Sequence, residues 1–338
     1  MVAGVLSAPA ARAHSCGGAD KACAYAAVVA HSVRRIDSWG NAFSVPVVDR
    51  IRVEDAPVLD FVTLDNVVQG LSLRPRAARS DPAFAADLRR ALATLPPQVL
   101  RLLEHKLLAI VVVEDPGSTG FSDEVHDASG QPVAGFVVLD AGVLRGQRAN
   151  AWATWREGTP FKPMAGSGIR ARIAQAGHDD RVGALQYILL HELAHVISVG
   201  ERFHPRWTQP PPDATGFAAY PFASISWQVE DKRYRPRPGD DFPQRASVVY
   251  YFGAKLGMDE AARTYRALER THFPTLYAVT NPGDDFAEAF ANYVHVVLMR
   301  RPFAIELLQD DRVEHAYGAC WNTPRCEAKQ AILEALLR

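Results

Sequence analysis

The chain has no long hydrophobic run, no surplus of charge and only four cysteines, and each shortage closes a class of function. No window reaches the roughly 20 uninterrupted apolar residues of a spanning helix, so no membrane span is expected. Lys and Arg number 37 against 38 Asp and Glu, and a net charge of -1 creates no general field for nucleic acid or an anionic membrane. The cysteines form two close pairs, Cys16 with Cys23 and Cys320 with Cys326. Neither pair has the Cys-x2-Cys spacing of a zinc knuckle, and each suits a small disulfide loop in an oxidising compartment. What is present is 48% hydrophobic residues over 338 positions, enough core for one large domain or two modest ones.

A short apolar stretch at the amino terminus is followed by Ala11-Arg12-Ala13, a small-x-small pattern of the kind cut by signal peptidase, though no basic region precedes it. With the cysteine pairs, this predicts export to a periplasmic or extracellular space and a leader over residues 1–22. An intracellular protein with a leader-like start is the alternative. Periodicity predicts an amphipathic helix over 81–95, ending at Pro96-Pro97, and β-branched runs at 107–113 and 133–139 read as strands of one sheet. A further helix is expected over 180–199, capped by Asp179 or Asp180 and closed by Gly200. Prolines cluster between 201 and 245, which suits an irregular connection. Helices are then expected over 247–257, 259–270, 282–299 and from 327 to the end.

The 180–199 helix carries His191-Glu192-Leu193-Ala194-His195. Two imidazoles four apart leave a helix from one face, and both can reach one zinc ion at about 2.0 to 2.1 Å. Glu192 beside them can take a proton from a zinc-bound water whose pKa the metal lowers toward roughly 7. The surrounding Leu185, Ile188, Leu189, Val196 and Ile197 make two histidines and a glutamate costly there without a ligand. A catalytic zinc usually takes three protein ligands, so one more is needed. The segment Thr280-Asn281-Pro282-Gly283-Asp284-Asp285-Phe286-Ala287-Glu288 starts a helix with Asn281 as cap and Pro282 in first position. Asp284 falls in the first turn, where the helix dipole favours a carboxylate, and Glu288 lies four residues on, beside the apolar stripe of Phe286, Phe290, Val294 and Val297. Either acid could be the third ligand. His178, His204, His272 and His295 read as surface or satisfied core histidines.

The motif, Tyr277 and the Thr280–Glu288 segment together resemble the lethal-factor and Pro-Pro endopeptidase group of zinc metallopeptidases, which is gluzincin-like. The resemblance implies an α+β, zincin-like fold: a small mixed sheet packed on the motif helix and a mostly helical carboxyl-terminal half. It implies Asp284 as third ligand, Glu288 as the acid that orients a ligating histidine, and Tyr277 as the phenol that stabilises the oxyanion. The family has Glu where this chain has Asp284, one methylene shorter, so either the second helix sits closer or Glu288 takes the ligand role. By analogy, residues 133–144 are the candidate for the sheet-edge strand that pairs with substrate, and Phe222 to Trp227 could line a subsite. The division expected is a mostly helical subdomain over 23–99 and a catalytic domain over 100–338. The function expected is hydrolysis of a peptide or protein substrate with one Zn2+ per chain. A zinc amidase acting on cell-wall peptides and a non-catalytic, zinc-stabilised binding protein are the alternatives, the latter having no use for Glu192 or Tyr277.

Overall fold

The β-branched run at 107–113 becomes the centre of a five-stranded sheet in the computed structural model, which describes residues 20–338 apart from residue 54. The leader segment, and with it the Cys16 end of the first expected disulfide, lies outside the described residues. Strand Leu107–Glu114 lies between two parallel neighbours, Ile51–Val53 and Pro132–Asp140, and Arg76–Ala77 pairs antiparallel with its end. All eight residues of Leu107–Glu114 are buried, as expected of a strand covered on both faces. Leu107, Ile110 and Val112 join Val137 and Leu139 in packing on helix Arg181–Ser198 and helix Pro82–Ala93. The residues Leu108, Ala109, Val111 and Val113, of which the first two are adjacent at a register shift, pack with Phe136 on Val28 from helix Lys21–Ala30 and on Val58 and Phe61 from helix Ala56–Gln69. The class is α+β, as the sequence predicts.

The expected edge strand is a correction. Residues 133–139 form an inner strand, and the outer edge is Gly120–His126, antiparallel to Pro132–Asp140. The β-branched run is inner because both of its faces find apolar cover. Gly120–His126 is polar because, apart from one bridge of His126 to Arg35, it pairs along its sheet-facing side alone, and Ser122 and Glu124 extend to groups beyond the sheet.

Helix Arg181–Ser198 begins at Asp180, whose side chain accepts from the Gly183 N–H, and the chain leaves it through Gly200 at φ +75°. A β-carbon at Gly200 would lie 2.8 Å from the Pro132 carbonyl oxygen, so the turn needs glycine for conformation and for space. Helix Pro282–Tyr293, capped by Asn281, packs against it and continues as a π-turn over Val294–Leu298. Helices Ala261–Leu268 and Glu327–Leu336 form as predicted. Cys320 and Cys326 are disulfide-bonded, with Cα atoms 5.7 Å apart. No helix among the described residues is long and apolar enough to cross a membrane.

The carboxyl-terminal half departs from the helical expectation in two places. Residues 247–257 form no helix: after a short turn at Arg245–Ser247, Tyr250 is pulled inward to donate to Glu157 Oε2 at 3.0 Å, and Tyr251 and Gly253 take positive φ. A buried polar anchor and the ring packing around it override local propensity. Ala304–Gln309 and Arg312–Gly318 form a hairpin that adds to Ser167–Arg172 in a three-stranded sheet. The turn residues Asp310 and Asp311 both have positive φ, a type I′ geometry reached without the usual Asn-Gly or Asp-Gly signal. Between 201 and 245 the chain is irregular apart from short helical turns and a small hairpin, Trp227–Glu230 with Arg233–Pro236. Phe222 and Trp227 are buried core groups: Phe222 packs edge-on against Phe286, and the Trp227 indole donates to Asp285 Oδ2 at 3.0 Å.

The buried histidines are core groups. His295 Nε2 lies 2.8 Å from the Ile173 carbonyl oxygen and 3.1 Å from that of Pro302. Burial pushes its imidazole from 6.5 down to about 4. Below the unfolded value the unfolded chain takes up a proton that the folded imidazole refuses, so stability present at neutral pH is lost as pH falls from 6.5 toward 4. Urea unfolding across that range should lose roughly 3 kcal/mol from this group, and His295→Gln should flatten that part of the profile. An unchanged slope in the variant would show that another group carries it.

Candidate functional site

His191 and His195 leave one face of helix Arg181–Ser198 beneath the start of the edge strand, with side chains 12% and 13% exposed. They are nearly perpendicular, with ring centroids 5.0 Å apart. Asp284 reaches them from the first turn of helix Pro282–Tyr293. There Asn281 Oδ1 accepts from the backbone N–H of Gly283 and Asp284, at 2.9 and 3.0 Å. One carboxylate oxygen, Asp284 Oδ2, accepts from Thr280 Oγ1 at 2.8 Å and Asn281 Nδ2 at 2.6 Å. The other, Oδ1, is left facing His195 Nε2 at 3.4 Å and His191 Nε2 at 3.8 Å.

These three residues form a group whose donor atoms all lie within 4.8 Å of one another. Tetrahedral bonds of about 2.0 to 2.1 Å would set donors roughly 3.3 Å apart, and the 3.4 and 3.8 Å from Asp284 Oδ1 to the two nitrogens are near that spacing, so this nitrogen and oxygen set fits a zinc ion in chemistry and approximate placement. The shorter Asp284 is accommodated because the acid helix packs directly on the motif helix. Burial opposes the Asp284 charge, but the neighbouring His195 and His191 hold its carboxyl below the usual range.

Glu288 stands on the other side of His191. Its Oε1 is 2.8 Å from His191 Nδ1, the nitrogen turned away from Asp284. The same oxygen accepts from Arg156 Nη2 at 2.5 Å, and Oε2 accepts from Thr275 Oγ1 at 2.7 Å. Burial works against the Glu288 charge, yet Arg156 and His191 bring its carboxyl down to about 2. An ionised carboxylate only accepts, so His191 Nδ1 carries a proton and Nε2 is the nitrogen turned toward Asp284. Glu288 thus meets the wrong nitrogen to share a metal with His191 Nε2 and Asp284. His195 has no such partner: its Nδ1 is buried without a hydrogen bond.

Glu192 faces the cleft beside the histidines, and Ser122 Oγ of the edge strand donates to its Oε2 at 3.3 Å. Tyr277 lies across from it, its ring edge-on to His191 at 5.4 Å and to Tyr250 at 4.6 Å. Burial first, then the Asp284 charge, pushes the Tyr277 phenol well above its ordinary value, so it remains a donor. The Arg156 guanidinium lies 4.6 Å from the Tyr277 ring centroid.

Three spaces open from these groups. A trough of about 270 Å³ lies over His195, Glu192 and Asp284, bordered by Trp207 and Asn281. A narrower cavity of about 150 Å³ opens beside Glu192 and His191 between Trp152, Tyr187, Ile188, Tyr251, Phe252 and Tyr277. On the outer side of the edge strand runs a groove of about 1110 Å³, bounded by Phe61 and Asp65 on one wall and Arg206 to Thr208 on the other. Its charges pair locally, Arg34 with Asp123 and Glu124, and Arg206 with Glu124, so it carries no field of one sign.

The predicted residues His191, Glu192, His195, Tyr277 and Asp284 line this cleft, and Glu288 lies buried behind His191. Sequence reading missed Arg156, Thr275, Ser122 and Trp207. Arg156 had a signal: it extends the apolar stripe Ala149, Trp152, Ala153 at helical spacing, so a charge falls on a core face. Ser122 and Trp207 sit in segments with no such pattern. His204 is a core group whose ring nitrogens are 2.9 Å from the Pro205 carbonyl oxygen and from Ser198 Oγ, and burial drives it down to about 4. His272 pairs with Asp240, and His178 is exposed.

No known family model matches the chain, and neither a curated protein nor a solved structure matches it.

Because Asn281 both caps the acid helix and holds Asp284 Oδ2, Asn281→Ala should lower unfolding stability by about 0.5 to 2 kcal/mol without metal. Denaturant titration of the metal-free protein checks this, and a loss below the lower figure would show that the cap is replaceable by water.

Proposed function

We propose that the chain is a zinc-dependent endopeptidase with a zincin-like fold, related in its motifs to the lethal-factor and Pro-Pro endopeptidase group. The observation that carries this reading is the convergence of His191 Nε2, His195 Nε2 and Asp284 Oδ1 beside a carboxylate, Glu192, that belongs to neither a salt bridge nor the ligand group. Zinc held by these three residues would lower the pKa of a coordinated water and polarise a peptide carbonyl. Glu192 takes the proton of the attacking water and returns it to the departing amine. Tyr277, kept protonated by its surroundings, donates a hydrogen bond to the oxyanion. The outer side of Gly120–His126, paired among the described residues by a single bridge of His126 with Arg35, offers the backbone groups ahead of that bridge to an extended substrate, which would lie along the cleft as an added strand.

The 150 Å³ cavity bears on substrate class. A cavity of about this size lined by apolar groups accommodates a benzene-sized ring. Its guanidinium, Arg156, is already paired with Glu157 and Glu288, so an acidic substrate side chain finds no free counter-charge there. A ring-sized or branched side chain that carries no negative charge, next to the scissile bond, is the substrate feature this favours. The Cys320–Cys326 disulfide supports placing the enzyme in an oxidising, extracytoplasmic compartment.

Elemental analysis of wild type, Asp284→Ala and Glu192→Gln, paired with cleavage of a mixed peptide library, tests the reading. Wild type should hold about one zinc per chain and cleave, and Asp284→Ala should lose most of its metal. Glu192→Gln should keep zinc while its turnover falls by about 10²- to 10⁴-fold. Zinc retained with wild-type function in Glu192→Gln would turn the site into a structural one, and a folded wild type that binds no zinc would end the metallopeptidase reading.

A further inference from the structure

Arg156 is a buried guanidinium, 4% exposed, that lies outside the group His191, His195 and Asp284. Its Nη2 donates to Glu288 Oε1, the same oxygen that receives the proton of His191 Nδ1. Its Nη1 donates to Glu157 Oε1 at 3.3 Å, and Glu157 Oε2 accepts from the Tyr250 and Tyr265 hydroxyls at 3.0 and 2.6 Å. Glu157 is thus pinned by two phenols, and it fixes the guanidinium in turn. The guanidinium lies 4.6 Å from the centroid of the Tyr277 ring. Tyr250, which helps to pin Glu157, is also the ring packed edge-on against Tyr277.

We propose that Arg156 is a positioning residue for the metal site: one guanidinium clamps Glu288 against His191 and braces the ring of Tyr277, coupling the placement of a ligand to that of the oxyanion donor. The inference rests on the metallopeptidase reading and adds a residue to it. Two features distinguish this from an ordinary buried ion pair. First, among the described residues Arg156 and His191 are the ion-pair partners of Glu288, so without Arg156 the carboxylate would depend on the ligand itself for its counter-charge. Second, a planar guanidinium can donate to two carboxylates while resting on an aromatic ring, whereas an ammonium is a compact point charge that cannot reproduce both contacts.

The test uses the full chain with Arg156→Met, Arg156→Lys, Glu288→Gln and the Arg156→Met/Glu288→Gln double variant. Zinc affinity is read by competition with a chromophoric chelator, kcat and KM on a cleaved peptide, and folding by circular dichroism. Arg156→Met should weaken zinc by about 10- to 100-fold, the usual cost of losing a group that orients a ligand. Arg156→Lys should recover most of that affinity while lowering kcat with little change in KM, because charge returns to Glu288 but the brace on Tyr277 does not. Since Arg156 acts on zinc through Glu288, Arg156→Met should cost little further affinity in the Glu288→Gln background. A folded Arg156→Met with wild-type zinc affinity, or a full second loss in the double variant, overturns the proposal. Should Arg156→Met fail to fold, the Lys variant and the comparison of Glu288→Gln with the double variant decide it, because removing both charges of a buried pair is milder than removing one. Wild type that binds zinc while these variants leave affinity unchanged refutes only the role of Arg156. Wild type that binds none removes the metal site and this inference together.

Discussion

Glu288 is an ionised carboxylate with no exposed surface, and such a group persists in a core only when its partners replace the water it has lost. Desolvating one ion costs several kcal/mol, and leaving a buried charge without its partner typically costs about 3 to 5 kcal/mol. Arg156, Thr275 and His191 provide that replacement from three segments far apart in sequence. Satisfying this one carboxylate therefore fixes helix Ala149–Gly158, the loop before Tyr277 and the motif helix relative to the acid helix. The proposed active site inherits its geometry from that requirement.

The acid helix is held from its opposite side by a second buried charge pair. Asp284 and Asp285 are adjacent but point apart, Asp284 toward the histidines and Asp285 to Lys329 Nζ at 2.5 and 2.8 Å. Burial pushes the Asp285 carboxyl up, against the pull of Lys329, to about 6. Lys329 belongs to the last helix, so the carboxyl-terminal segment and the Trp227 hairpin both bear on the turn that presents Asp284. The shorter side chain at 284 can serve in the proposed ligand set because its helix is fixed on both sides and its second oxygen is tied to Thr280 and Asn281.

The helices that carry this arrangement were legible because their signals are local: Asp180 and Asn281 as caps, Pro282 in first position, Gly200 as terminator, and buried acids and histidines at helical spacing. The inner strands announced themselves through β-branched runs. The edge strand did not, since a strand with one partner and a working face carries Ser, Asp and Glu where an inner strand carries Val. The hairpin at 304–318 was hidden for a related reason: alternation that buries Ile305 and Leu307 is short, and its turn is made by two aspartates at positive φ. Tyr250 and its neighbours were misread as helical because the acid that pulls Tyr250 inward, Glu157, lies far away in sequence. Arg156, Thr275 and Glu288 illustrate the general limit, for only the folded chain shows which charges share a buried site.

The two histidines are held unequally, and the inequality has a direction. His191 is locked by Glu288 with Arg156 behind it, on the side of the enclosed aromatic cavity. His195 Nδ1 has no acceptor, and the ring meets instead the edge of Trp207, a half-exposed side chain at the border of the trough and the long groove. A ligand set built on these residues is rigid toward the cavity and adaptable toward the groove. For a peptidase this polarity is useful: a side chain seated in the cavity beside Glu192 would be aligned against fixed groups, while the rest of an extended chain entered past Trp207 along the edge of Gly120–His126 ahead of its His126 bridge to Arg35. In this reading the selective contact and the rigid ligand share one side of the metal, so tight binding of the preferred side chain registers the scissile bond on the part of the site that does not move.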